Sequence, residues 1–149
     1  MQKYLVSFTV PADGHGLRVY SHVLDRPPEP WDSQQITDLR ASLAREYALD
    51  KIILMGWEPL SPPHGEEECK VAHGYLLMYW YREGLHFGFG HMEIEGTDPI
   101  SDLDSVRSAE EHVRSFFRFT EVRLISCKKL ADLPPEVLEE MLLEEQGAN

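Results

Sequence analysis

The chain has 149 residues, 42% apolar and 27% charged, with three Trp, six Tyr and six Phe. This composition excludes a wholly disordered or fibrous protein and suits one domain, or two small units sharing one core. Its 26 Asp and Glu against 14 Lys and Arg give a formal net charge of -12, which excludes docking to nucleic acid or an anionic membrane through phosphate contacts and fits a basic partner or none.

Met1 to Val10 places Tyr4, Val6, Phe8 and Val10 at alternate positions. That is strand spacing, and it lacks the basic start and continuous apolar run of a signal peptide. Ala12-Asp-Gly-His-Gly16 reads as a hairpin turn into a second strand. After prolines 27, 28 and 30, with Asp32 or Ser33 as the cap, Ile36, Leu39, Leu43 and Tyr47 form one helical stripe. Lys51 to Leu60 closes this stretch as a strand. Laid against itself at a shift of roughly 70 residues, the chain repeats this order. Tyr75 to Tyr81 matches Tyr4 to Val10, Gly84 matches Gly16, and Pro99 matches Pro30. Val106, Ala109, Val113 and Phe117 match the first helical stripe, and Glu121 to Leu130 matches Lys51 to Leu60. In the second helix, Ser101 followed by Asp104 resembles a capping box.

The reading is a duplicated strand, strand, helix, strand unit in a single α/β (α+β) domain. Residues 1–60 form the first unit, 61–70 a linker, 71–130 the second unit and 131–149 an acidic C-terminal helix. The expected architecture is a roughly six-stranded mixed sheet with both helices on one face. The strand from Tyr75 to Tyr81 is apolar at both parities, so its second face, with Leu76, Met78 and Trp80, needs a cover. The C-terminal helix, a second copy of the chain or a partner would supply it.

Gly84 to Gly96 is the most unusual stretch. It lacks the Lys-Ser/Thr of a P-loop, and Gly88 and Gly90 read as a bulge or a close backbone approach. Met78, Trp80, Arg82, Phe87, Phe89 and His91 are the candidate ligand or partner contacts. No histidine pair has ligand spacing, with His15, His22, His64 and His73 in or near predicted turns and linkers, so neither a metal nor a cofactor is expected. Cys69 and Cys127 form no CxxC pair and read as inert thiols. No GxSxG elbow occurs, and Glu110-Glu111 and Glu139-Glu140 read as solvated helix faces.

The negative charge concentrates in Glu66 to Glu68 and in the segment after Asp132, which carries Glu136, Glu139, Glu140, Glu144 and Glu145 without Lys or Arg. These acids either keep the chain soluble or dock to a basic protein surface.

Each half resembles short phage and prophage proteins of one ββαβ unit. The resemblance is strongest over Tyr75 to Leu130, with its Tyr-rich first strand, Gly-Phe-Gly, Pro-Ile-Ser and Ile-Ser-Cys-Lys-Lys-Leu, whereas the first half has Val19-Tyr-Ser in place of Gly-Phe-Gly. It implies a fused pseudo-dimer and a mobile-element accessory role such as inhibition of a host defence protein. The leading expectation is a non-enzymatic cytoplasmic protein that occupies a basic protein surface through its acids, without membrane or nucleic-acid binding. The aromatic sheet face then serves a partner or a homodimer. The alternatives are a small-molecule binder with its pocket between the two units, near Trp80, Phe89, His91 and Arg82, and a small enzyme using His91 and nearby acids.

Overall fold

The computed structural model describes residues 1–11, 17–61, 73–96 and 99–130. The turn at 12–16, most of the expected linker and the expected acidic helix at 131–149 lie outside them. In chain order the elements are β1 (Gln2–Thr9), β2 (Val19–Arg26), α1 (Ser33–Glu46), β3 (Ile53–Pro59), β4 (His73–Glu83), β5 (His86–Gly96), α2 (Leu103–Phe117) and β6 (Glu121–Lys129). No helix among the described residues is long and apolar enough to cross a membrane.

The helix starts follow from local chemistry. Asp32 accepts the Gln35 N–H at 2.8 Å while the Gln35 side chain accepts the Asp32 N–H at 2.8 Å, a reciprocal cap that satisfies donors the first turn leaves free. In α2 the cap is Asp102 and not Ser101. Its carboxylate accepts the Ser105 N–H at 2.8 Å, and Ser105 Oγ accepts the Asp102 N–H at 3.0 Å. An acid serves better than a hydroxyl here because the helix N-terminus carries partial positive charge. The same bond holds the Asp102 carboxyl below its usual range.

The expected six-stranded mixed sheet is replaced by two separate three-stranded sheets, ordered β2-β1-β3 and β5-β4-β6, in which every neighbouring pair is antiparallel. The first strand of each unit is therefore central, and the strand after the helix returns to its far side. The helices do not share a face of one sheet. Tyr4, Val6 and Phe8 turn toward Leu39 and Leu43 of α1, whereas Tyr75, Leu77 and Tyr79 pack with Val106, Ala109 and Val113 of α2.

The other face of the first sheet is covered by the second unit. Leu5 is fully buried in the α2 core, Val23 packs against that core, and β6 lies against all three strands of the first sheet. Two N–H groups of β6 are taken by carboxylates and not by a strand of that sheet. The N–H of Leu124 donates to Glu110 at 2.8 Å and that of Cys127 donates to Glu58 at 3.1 Å. Carboxylates thus occupy donors that a neighbouring strand would otherwise take.

The halves agree in details beyond element order. Pairing of β1 with β3 shifts register between Ser7 and Phe8, and pairing of β4 with β6 shifts between Met78 and Tyr79. The Tyr4 hydroxyl accepts the Glu29 N–H at 3.1 Å, and the Tyr75 hydroxyl accepts the Ile100 N–H at 3.0 Å. The Leu60 N–H donates to the Lys3 carbonyl and the Leu130 N–H to the Gly74 carbonyl. Ala48 and Arg118, each just past a helix, have φ of 53° and 61°.

Candidate functional site

The sequence-selected residues form three cross-strand pairs on one face of the second sheet: Met78 with His91, Trp80 with Phe89 and Arg82 with Phe87. Period-two alternation places them there, since β4 and β5 pair without a register break. Met78 is 47% exposed, Phe87 47% and Phe89 56%, so this is an open apolar strip. His91, Glu93 and Glu95 continue along exposed positions of β5 and rim it with polar and acidic groups. Trp80 departs from its place among the expected ligand or partner contacts, because it is fully buried.

Gly88 and Gly90 do not mark a bulge or a close backbone. They face Tyr81 and Tyr79 across the strand pair, and a Cβ at either glycine would come within 2.7 Å of the tyrosine ring end. The missing side chains make room for aromatic rings, which then stack onward. Tyr81 lies 4.1 Å from Phe119, centroid to centroid, and Phe119 lies 5.2 Å from Phe117.

A buried polar network joins the units on the α2 side. Glu110, expected on a solvated face, is 4% exposed. It accepts Ser21 Oγ at 2.5 Å and Arg107 Nη1 at 2.7 Å in addition to the Leu124 N–H. Arg107 also donates to the Ser21 carbonyl at 2.8 Å, as does the Tyr47 hydroxyl at 3.2 Å. That hydroxyl is 2.9 Å from His22 Nδ1. His22 lies inside β2 and not in a turn, and burial lowers its pKa, with Glu46 opposing and Arg107 adding to the shift. Burial likewise raises the Tyr47 pKa. Every oxygen of Glu110 has a donor, so the network reads as a fastening between the units. A sequence signal for it existed: Val106, Ala109, Glu110 and Val113 follow i, i+3, i+4, i+7, which puts an acid inside an apolar stripe.

Glu58 fastens the other end. Besides the Cys127 N–H it accepts Ser126 Oγ at 2.5 Å and lies 3.4 Å from Lys128 Nζ. Burial, reinforced by Glu58, pushes the Cys127 thiol up to about 12, consistent with an inert side chain. Cys69, His15 and His64 lie outside the described residues, as do Glu136, Glu139, Glu140, Glu144 and Glu145. Among the described residues no group of three or more His, Cys, Asp or Glu is placed to hold a metal.

Between the units is a cavity of about 610 Å³, lined by Val10, Leu17, Arg18, Tyr20 and Leu49 from the first unit and by Trp80, Arg82, Gly84, Leu85, Phe87 and Glu121 from the second. It adjoins the open strip at Arg82 and Phe87 but does not include Phe89 or His91. Glu121 lies 3.9 Å from Arg18, 3.4 Å from Arg82 and 3.0 Å from Arg123. This arginine cluster was not singled out in the sequence, because its members come from three separated strands or turns.

No protein-family model matches this chain, and no curated protein matches it significantly.

Proposed function

We propose that the protein is a non-enzymatic binding protein, made by duplication of one ββαβ unit, which holds a basic protein partner on the open face of β4 and β5. The observation that carries this reading is the unequal fate of equivalent faces. The pairs Leu5–Val23 and Ser7–Ser21 of the first sheet occupy the places of Leu76–Glu93 and Met78–His91 in the second. The first set is covered by the second unit, whereas Met78 and the adjoining Phe87 and Phe89 are exposed. A face that forms an interface in one copy is thus left open by the described residues in the other on either side of the buried Trp80, with Met78, Phe87 and Phe89 exposed and Glu93 and Glu95 at its rim.

The shared register shifts, tyrosine bonds and helix ends support the duplication. The net charge of -12 and the glutamates after Asp132 favour a basic partner, since opposite charge speeds encounter and selects among surfaces. Inhibition of a host defence protein by a phage-type accessory protein fits this reading and rests on the resemblance of each half to single-unit phage and prophage proteins. The experiment is quantitative capture from a bacterial extract with the wild type and with Met78→Ser/Phe89→Ser. Proteins retained by the wild type and lost from the variant are expected, with weaker capture at high salt. Identical retention by both proteins would remove the face from the proposal. Association of the chain with itself, lost in the same variant, would assign the face to a homodimer instead.

A further inference from the structure

We propose that the cavity between the units is a binding site for a small anion carried on a flat apolar body, such as an aryl carboxylate or an aryl phosphate. Its volume of about 610 Å³ is in the range of small-molecule sites. Three features select the chemistry.

Trp80, part of the cavity wall, is fully buried, and its indole N–H has no acceptor among the described residues. A buried indole donor normally finds a partner, and leaving it unmade costs stability. A ligand oxygen would supply the acceptor once the wall that now seals the indole parts around the ligand. Charge points the same way. Arg18 and Arg82 in the cavity wall share one carboxylate there, Glu121, which Arg123 also pairs from outside the wall, so the wall keeps an excess of positive charge within a chain of net charge -12. Guanidinium groups suit carboxylate and phosphate oxygens because they present paired donors in a plane. The apolar body has its own complement in Tyr20, Leu49 and Phe87, which line the same space. A cation is disfavoured because Glu121 is already surrounded by arginines, and a nucleic-acid strand is disfavoured by the overall charge.

The test uses the full chain and nitrogen-edited NMR of the indole N–H signals of Trp31, Trp57 and Trp80. That of Trp80 is assigned with Trp80→Phe or, if that variant does not fold, with Trp31→Phe and Trp57→Phe. The probes are naphthoate, neutral naphthamide, phenyl phosphate and inorganic phosphate, each titrated to millimolar concentration. Naphthoate or phenyl phosphate is expected to shift the Trp80 signal and saturate at one equivalent. Naphthamide should bind about tenfold more weakly than naphthoate, and Arg18→Gln, at an exposed side chain, should weaken the anionic probes by about tenfold. Which of the two anions binds more tightly identifies the head group. A stationary Trp80 signal with every probe, or equal affinity for naphthoate and naphthamide, would overturn the proposal. Inorganic phosphate binding as tightly as phenyl phosphate would overturn its apolar half.

Discussion

Replacing Glu110 with Ala removes the acceptor of three donors at once: Ser21 Oγ at 2.5 Å, Arg107 Nη1 at 2.7 Å and the Leu124 N–H at 2.8 Å. Removing one member of a fully buried ion pair costs about 3–5 kcal/mol, and stranding a buried N–H costs about 1–3 kcal/mol. The Arg107 side chain is 38% exposed and can recover part of its hydration, which brings the expected loss to about 3 kcal/mol. For a chain of this length that lowers the melting temperature by about 6–12 °C. Urea unfolding followed by Trp fluorescence reads the loss, with Glu111→Ala as the control. Glu111 is also paired, with Arg114 at its side, and that pair holds its carboxyl at about 2; however, both partners lie in solvent. Glu111→Ala should therefore leave the urea midpoint unchanged within error. A cycle with Arg107→Met should show coupling of about 1 kcal/mol or more between positions 107 and 110. Equal midpoints for Glu110→Ala and Glu111→Ala would refute the assignment of Glu110 as the fastening between the units.

Acidification should weaken the same junction through His22. Its folded-state pKa lies below the unfolded value of 6.5, so its neutral form stabilises the fold above that pH, and the contribution is lost as the pH falls below it. The urea midpoint should drop more between neutral pH and about pH 5 in the wild type than in His22→Asn, and parallel drops would contradict the assignment. Gly90→Ala should cost about 1–3 kcal/mol in urea unfolding because its Cβ meets the Tyr79 ring at 2.7 Å. Gly56→Ala, where nothing lies within 4 Å, serves as its comparison, and equal cost would refute the packing argument. In a Cys69→Ser background, Cys127 should resist a thiol reagent at mildly alkaline pH until the protein is unfolded, because burial and Glu58 hold its pKa near 12. Fast labelling of the folded chain would show that the core around Cys127 opens.

Local order was legible where a short-range pattern determines it. Alternation in Tyr4-Leu-Val-Ser-Phe and the stripe Val106, Ala109, Val113 placed strands and helices close to where they lie, and the parity of Met78 to Phe89 put the candidate contacts on one face. The pairing of the sheets was not legible. It rests on long-range contacts, among them the carboxylates that take the N–H groups of Leu124 and Cys127, and Glu58 and Glu110 are each distant in sequence from one of the units they join. Gly88 and Gly90 misled for a related reason. Their missing side chains serve tyrosines on another strand, and glycine in a strand gives the same sequence signal for a bulge as for an overlying ring.

On the proposed function, the open face of β4 and β5 is where the protein meets its partner. The most direct measurement is amide hydrogen exchange of the full chain with and without the protein captured in a Met78- and Phe89-dependent manner. Slower exchange confined to β4 and β5, around Met78, Phe87, Phe89 and His91, is expected. Protection confined to α1 or β2, with β4 and β5 unchanged, would contradict it.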